Sequence, residues 1–182
     1  MNLWLRVVWL LTVSRWREPA PFLSPVRMSL RCWPNDIDPL MHMNNGRYFT
    51  LLDLGRAELL IRAGVWRRLR RVGIAHVVAS ECMQFRRSLK LFERAELETR
   101  ILGWEGKSLY FRQDFYRKGE LAASAIVRTR WMRSDRSAVA PGELLSLAGI
   151  TAAESPPLPD WVRAWDQGLR EQFERSDGHG GS

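Results

Sequence analysis

Three strand-like segments that follow one another with only tight turns between them constrain the fold of this chain most strongly. They cover residues 93–104, 108–117 and 121–132, and the turns at 105–107 and 118–120 each contain one glycine. Strands joined by such short turns pair with their chain neighbours in an antiparallel sheet. The segments are longer than an ordinary strand, as a strongly curved sheet requires. We therefore predict an antiparallel meander at the centre of the fold.

A strand and a long helix precede this meander. Alternating apolar and polar residues predict a half-buried strand over 26–33, which ends before Pro34. Residues 46–63 contain no proline and carry leucines around more than one stripe, which predicts a helix covered on most sides. Another strand is predicted over 74–88. The expected fold class is α+β, with a curved antiparallel sheet wrapped around one long helix and extra helices at both ends.

The remaining segments flank this domain. We divide the chain into an amphipathic N-terminal helix (1–16), a proline-containing linker (17–25), the main domain (26–133), a C-terminal helical extension (134–175) and a disordered tail (176–182). The extension is expected to hold a short helix at 143–148 and an amphipathic helix near 161–173. A single sheet around one helix leaves an edge uncovered, which favours a homodimer or a higher homo-oligomer.

The composition limits the possible partners. The formal charge of +8 fits an anionic partner, such as an acidic lipid or a phosphate-bearing small molecule. No zinc-ligand spacing and no Arg-Gly-rich tail accompany the charge, so we do not predict nucleic-acid binding. Cys32 and Cys82 lie in alternating apolar runs, which favours buried, reduced thiols and a cytoplasmic location. No cofactor is predicted, and the three histidines are too scattered for a metal site.

The N-terminal segment has two possible interpretations. Trp4, Trp9 and Trp16 with flanking arginines are typical of a helix that lies in a membrane interface, peripheral to the inner membrane surface. The run is shorter than the roughly 20 apolar residues of a spanning helix, and Arg6 interrupts it. The alternative is that this helix packs on its own domain or on a partner subunit. In either case we expect residues 1–16 to be dispensable for turnover.

One loop concentrates the groups that carry chemistry. Asp36, Asp38, His42, Asn44 and Asn45 lie within ten positions, directly before the long helix. A helix N-terminus offers unpaired N–H groups and a positive dipole end, which can stabilise a developing oxyanion. A neighbouring carboxylate can act as a nucleophile or activate water. Asp and Asn before a helix are also ordinary capping residues, so both interpretations remain open at this point.

The segment from Asn35 to Tyr48, NDIDPLMHMNNGRY, resembles the motif D-x-D-x-x-G-H-V-N-N-x-x-Y of the hotdog-fold thioesterases. The resemblance is to the 4-hydroxybenzoyl-CoA thioesterase-like branch, and within it to bacterial homologues of thioesterase superfamily member six. It extends through residues 85–89 and 102–104. It implies a hotdog fold and hydrolysis of an acyl-CoA or an acyl-carrier-protein thioester to a free acid and a thiol.

The resemblance also implies roles for individual residues. Asp38 takes the position of the catalytic carboxylate, and the backbone N–H groups of Asn45 and Gly46 take that of the oxyanion donors. His42, Asn44 and Asn45 would position the substrate carbonyl or the attacking water, and Asp53 matches a helix carboxylate found in many relatives. Asp53 could instead pair with Arg56 or with a partner subunit. The expected substrate-binding residues are Tyr48, Arg86, Arg87 and Lys90.

Met41 stands where the motif usually has glycine. Glycine there would permit a positive φ, and we expect methionine to remove that freedom and fill space. This departure supports a rival function, a non-catalytic protein that binds acyl thioesters. The N-terminal helix and the charge support a second rival, a membrane-associated interaction protein.

Overall fold

Six strands of the described chain form one antiparallel sheet in the order β1-β3-β4-β5-β2, with β6 beside β5. The computed structural model describes residues 3–13, 17–150 and 154–177. The strands are β1 (Val26–Arg31), β2 (Ile74–Phe85), β3 (Arg94–Glu105), β4 (Ser108–Arg117), β5 (Glu120–Arg133) and β6 (Ala138–Val139). The predicted meander is thus confirmed as β3, β4 and β5. The strand predicted to reach residue 88 ends at Phe85.

The two predicted turns close this meander as expected. Glu105 pairs with Ser108 and Arg117 pairs with Glu120, so each turn contains two residues. Gly106 has a φ of 58° and Gly119 has a φ of 80°, a left-handed conformation that glycine adopts without steric cost. The predicted bounds of the middle strand, 108–117, agree with β4.

The long helix α2 (Asn45–Arg62) packs in the curl of the sheet. Its leucines at 51, 52, 54, 59 and 60 are all buried, which confirms the prediction of a helix covered on most sides. The sheet approaches α2 closely at Gly55, where an added Cβ would lie 2.5 Å from Thr99 Oγ1. A short basic helix, α3 (Val65–Arg71), follows α2 after Gly64.

The C-terminal extension contains two helices, α4 (Pro141–Leu147) and α5 (Asp160–Asp177). Leu144 and Leu145 of α4 belong to the main core, whereas α5 and the segment before it cover the other face of the sheet. Leu158 and Val162 pack against Tyr110 and Ile126, whose side chains point away from α2. The Tyr110 hydroxyl donates to Asp166 Oδ2 at 2.8 Å, and burial followed by this carboxylate raises the pKa of Tyr110 to about 12.

The position of the predicted disordered tail is wrong at its first two residues. Helix α5 continues through Asp177, where the sequence led us to expect a tail from residue 176. The sequence contains no proline or glycine between Arg170 and Asp177 that would end the helix earlier, and Gly178 follows directly. Residues 178–182 lie outside the described part of the chain.

The N-terminal helix α1 (Leu3–Val13) is anchored to the domain by its inner face. Leu10 is 2% exposed within the main core, and Arg6 is 5% exposed and forms an ion pair with Asp36. The opposite face exposes Leu5, Val8 and Trp9 to solvent. The prediction of packing on its own domain is therefore confirmed. Residues 14–16 lie outside the described residues, and no described helix has the length and apolar character that a membrane span needs.

Candidate active site

The predicted functional loop folds into a small hairpin. A single 3-10 turn, Pro34–Asp36, leads into two short antiparallel segments. The Asp38 N–H donates to the His42 carbonyl at 2.9 Å, and the Asn44 N–H donates to the Asp36 carbonyl at 2.7 Å. A bridge between Ile37 and Met43 lies between these two bonds. The hairpin therefore presents Asp38 at its turn and delivers the chain directly into α2.

The carboxylate of Asp38 is half-buried and oriented by the loop itself. Its Oδ1 accepts hydrogen bonds from the Leu40 N–H at 2.9 Å and from the His42 N–H at 3.4 Å. Both bonds fall on the same oxygen, and among the described residues Oδ2 has no donor. One oxygen thus fixes the side chain while the other remains available to a substrate or a water molecule.

Met41 adopts the left-handed conformation that glycine would adopt. Its φ is 61°, and its side chain is 60% exposed. The expectation that methionine removes this backbone freedom and fills space is wrong, because the turn imposes the conformation and the side chain points into solvent. For a residue other than glycine, this conformation costs roughly 1–2 kcal/mol.

The start of α2 separates capping from possible catalysis. Asn44 is the N-cap, and its Oδ1 accepts the Gly46 N–H at 2.8 Å. Asn44 therefore has the ordinary capping role, and the Gly46 amide that we expected to stabilise an oxyanion already has an acceptor. The Asn45 N–H finds no acceptor in the part of the chain that the structure describes. Of the two expected oxyanion donors, Asn45 is the one left open.

Asp36 is the buried base of the hairpin. It is 0% exposed, and its carboxylate forms ion pairs with Arg6 and with Arg47, the latter at 3.0 Å. The same carboxylate accepts the Trp33 N–H at 2.9 Å. Neither arginine was predicted from the sequence as part of the site. The available signal was Arg6 itself, a single charge inside an apolar helix.

The other predicted residues lie around this hairpin at different depths. Tyr48 is 2% exposed and packs edge-on against Phe85 and Phe115, while its Oη accepts the Leu89 N–H at 3.3 Å. This is a core residue in the described chain. Lys90 is a neighbour of the site, because its backbone bridges to that of His42.

The two predicted arginines and Asp53 do not join the hairpin. Arg86 is exposed, and Arg87 pairs with Glu120 at the protein surface. Asp53 pairs with the buried Arg56, as one of the two interpretations of the sequence expected. It lies two turns along α2 from Asn45, roughly 12 Å at 1.5 Å per residue.

Asp53 belongs to a second polar cluster between α2 and β2. Arg56 is 1% exposed, and its Nη1 donates to Gln113 Oε1 at 2.7 Å. His76 and Glu81 on β2 lie close enough for the charges of Arg56 and Asp53 to affect their pKa values. Burial, followed by the Arg56 charge, lowers the pKa of His76 to about 4, and burial raises the pKa of Glu81. The sequence offered the pairing of Asp53 with Arg56, but not the rest of the cluster, because Gln113, His76 and Glu81 are distant from α2 in the sequence.

The cysteines do not contribute a nucleophile. Cys32 is fully buried, and burial, followed by the negative charge of Asp36, raises the pKa of its thiol to about 11. Burial also raises the pKa of Cys82. A nucleophilic cysteine needs a lowered pKa. The prediction of buried, reduced thiols is confirmed for Cys32, and Cys82 is half-buried and free.

Comparison with known proteins identifies the family. Residues 32–165 match the thioesterase-like superfamily. The chain belongs to this superfamily. It is 33% identical over 132 residues to Protein THEM6 of Xenopus laevis, covering 72% of this chain and 62% of that protein. It is 31% identical over 165 residues to Thioesterase lcsJ of Purpureocillium lilacinum, covering 77% of this chain and 52% of that protein.

A solved structure shows the same fold. A crystal structure of a 4-hydroxybenzoyl CoA thioesterase mutant, complexed with 4-hydroxybenzoyl CoA, superposes with a TM-score of 0.61. It is 20% identical and covers 68% of this chain and 98% of that chain. The predicted hotdog fold and the resemblance to this branch of the thioesterases are confirmed. This thioesterase-like chain spans between about half and two thirds of the length of the two relatives above.

The two large clefts described for this thioesterase-like chain lie away from the reactive groups of the hairpin. One large cleft, of about 770 Å³, lies between α1, β1 and the β4–β5 turn, and a second, of about 980 Å³, lies beside α3. Neither cleft is lined by Asp38, His42 or Asn45. Neither of these two clefts is therefore the pocket that would surround the reactive groups of the hairpin.

Proposed function

We propose that this protein hydrolyses an acyl thioester, carried by coenzyme A or by an acyl-carrier protein, to a free acid and a thiol. The observation that carries this proposal is the pairing of the Asp38 carboxylate, with one open oxygen, and the open Asn45 N–H at the start of α2. A thioester carbonyl needs one polarising donor and one base or nucleophile, and the hairpin offers both.

Each group has a defined chemical part in this proposal. The Asn45 N–H, at the positive end of the α2 dipole, binds the carbonyl oxygen as negative charge develops on it. Asp38 Oδ2 then either attacks the carbonyl carbon or removes a proton from an attacking water. The first route forms an acyl-aspartate anhydride that water cleaves, and the second forms the acid directly. Both routes expel the thiolate, which takes up a proton.

The names of the similar proteins support this chemistry. Thioesterase lcsJ and the 4-hydroxybenzoyl CoA thioesterase both carry the activity in their names, and the latter was solved with a CoA thioester. The rival proposal, a non-catalytic acyl-thioester binder, rested on Met41. Because Met41 keeps the turn conformation and points into solvent, it does not block the open oxygen of Asp38.

A panel of acyl-CoA substrates with a thiol-reporting dye tests the proposal. Short, long and aromatic acyl groups separate the substrate classes, and the same acyl groups on a carrier protein test the carrier. We expect turnover of at least one acyl thioester above the rate of buffer alone. Tight binding of acyl-CoA without thiol release would support the non-catalytic rival instead.

The active form is proposed to be a homodimer joined through β2. This twelve-residue strand is an edge of the sheet, and it exposes Val77, Val78 and Phe85. A long apolar edge is a template for pairing with another strand. A second copy placed here would also lie beside the Asp53 and Arg56 cluster.

A charge on this edge tests the dimer. Val77→Lys should yield a monomer in light scattering and reduce turnover, because the edge no longer pairs. Val72→Lys is a matched control, since Val72 is 50% exposed and Val77 is 51% exposed, and Val72 lies outside the sheet. A wild-type monomer at micromolar concentration would contradict the proposal.

The outer face of α1 is proposed to contact anionic membranes. Leu5, Val8 and Trp9 form an exposed apolar stripe, and the cleft next to Leu11 is lined by Arg62, Arg67, Arg70 and Arg71. Apolar side chains beside cationic ones suit a surface of acidic lipids. Trp9→Glu should reduce sedimentation with anionic vesicles, whereas Trp161→Glu, on the exposed face of α5, should not. Equal sedimentation of both variants with the wild type would refute this contact.

A further inference from the structure

The N-terminal helix reaches the candidate active site through one side chain. Arg6 lies on the inner face of α1, and its Nη2 donates to Asp36 Oδ2. The side chains are 5% and 0% exposed, so the ion pair is shielded from water. Shielding strengthens the attraction between the two charges. Residues 30 positions apart in the sequence are thereby joined.

Asp36 connects Arg6 to both reactive groups, the Asn45 amide and the Asp38 carboxylate. Its carbonyl accepts the Asn44 N–H at 2.7 Å, and Asn44 immediately precedes the Asn45 amide. In the other direction along the chain, Asp36 lies two residues before Asp38. A displacement of Asp36 would therefore move the carboxylate and the oxyanion donor together.

Arg47 and Trp33 hold Asp36 from the remaining sides. Arg47 Nε donates to Asp36 Oδ1 at 3.0 Å, and the Trp33 N–H donates to Oδ2 at 2.9 Å. Arg47 belongs to the first turn of α2, so it ties Asp36 to the helix that carries Asn45. Arg6 is the contact that comes from outside the loop and α2.

The buried guanidinium of Arg6 destabilises the fold in a way that an apolar residue, packing α1 on the domain equally well, would not. Its Nε and Nη1 are buried and have no hydrogen-bond partner within the described residues. Buried polar atoms without partners destabilise a fold. An apolar residue at this position would pack α1 on the domain at lower cost, as Leu10 does one turn later. The presence of a guanidinium at this position is therefore best explained by its ion pair with Asp36.

We propose that Arg6 is a positioning residue, which holds Asp36 and through it the geometry of Asp38 and Asn45. This inference rests on the proposed thioesterase function. It reverses the expectation that residues 1–16 are dispensable for turnover. A misplacement of about 1 Å at a reacting group can lower a rate by about 100-fold.

Steady-state kinetics on the full chain separate positioning from general stability. Arg6→Met keeps an unbranched, flexible side chain but removes the charged guanidinium. We expect kcat of this variant to fall at least tenfold while KM changes less than threefold. Arg6→Lys retains a cation and should recover part of kcat. Arg17→Met is the matched control. Arg17 also joins the N-terminal segment to α2, through Glu58 at 2.7 Å, but it does not contact the hairpin.

Hydrogen exchange on the same variants measures the hairpin without relying on turnover. Arg6→Met should accelerate exchange of the amides in residues 36–46, including Asn44, whereas Arg17→Met should leave that segment protected as in the wild type. Combining Arg6→Met with Asp36→Asn should lower kcat no further than Asp36→Asn alone, since both act through one contact.

The outcomes distinguish the inference from the function on which it rests. An unchanged kcat and unchanged exchange in Arg6→Met would overturn the positioning role, as would an equal kcat loss in Arg17→Met. If Arg6→Met does not fold, the kcat and exchange of Arg6→Lys decide in its place. If the wild type releases no thiol from any substrate, the proposed function fails, and the exchange data alone then support or refute the contact.

Discussion

Replacement of Gly55 by alanine tests the close approach between α2 and the sheet. An added Cβ would lie 2.5 Å from Thr99 Oγ1 and 2.8 Å from Gln113 Nε2. These two atoms are themselves hydrogen-bonded at 2.9 Å in the fully buried part of the core. Gln113 Nε2 also donates to the Leu52 carbonyl at 2.9 Å. The methyl group would also lie 2.8 Å from Leu97 Cδ2, and the polar side-chain ends that it meets are held in place by these hydrogen bonds.

The expected change in the free energy of unfolding combines one stabilising and two destabilising contributions. Alanine gains about 1 kcal/mol over glycine in a helix interior. Overpacking costs about 1–3 kcal/mol, and loss of a buried hydrogen bond costs about 1–3 kcal/mol. The free energy of unfolding should therefore fall by roughly 1–5 kcal/mol for Gly55→Ala, because both costs apply to these contacts.

Urea denaturation followed by circular dichroism measures this change. Gly168→Ala is the matched control, because Gly168 lies inside α5 and an added Cβ there would meet no atom within 4 Å. The control should gain stability by about 1 kcal/mol, from helix propensity alone. A Gly55→Ala variant as stable as the wild type would refute the close approach of the sheet.

Two further predictions concern backbone strain and pH. Met41→Gly should raise the free energy of unfolding by about 0.5–1 kcal/mol in urea denaturation, because relief of the left-handed strain exceeds the added chain entropy; a loss of stability would show that Met41 makes a contact of value. The pKa of His76 is about 4 in the fold and 6.5 as the reference value, so the unfolded chain binds the proton first and stability should fall as pH drops from 6.5 towards 4. His76→Gln should reduce this loss in urea midpoints measured across that range, and an unchanged pH dependence would contradict the burial of His76.

The main elements of the fold could be predicted from the sequence because local patterns determine them. The glycine turns at 106 and 119 set the meander, and the leucines of α2 show that several of its sides are buried. The packing of α5 on the sheet could not be predicted in this way. It depends on long-range contacts such as the hydrogen bond between Tyr110 and Asp166, which lie 56 residues apart.

In the candidate site, too, local sequence patterns were predictive and long-range contacts were not. The motif selected Asp38 and the start of α2, and the hairpin presents both together. The contacts of Arg6 and His76 with the rest of the protein arise from tertiary packing, and no spacing in the sequence encodes them. At Met41 the residue type alone gave the wrong prediction, because the loop imposes a left-handed conformation that methionine disfavours.

The role of Asp38 is tested most directly by kcat/KM of Asp38→Asn on the best acyl-CoA substrate. Asparagine keeps the size of the side chain and the carbonyl oxygen that accepts the Leu40 N–H, so thermal melts should show a folded protein. Loss of a positioned base or nucleophile should lower kcat/KM by roughly 10² to 10⁴. Asp53→Asn, which alters the exposed partner of Arg56, should cost less. If Asp38→Asn retains most of the activity while Asp53→Asn abolishes it, the catalytic carboxylate lies on α2 and the assignment to the hairpin is wrong.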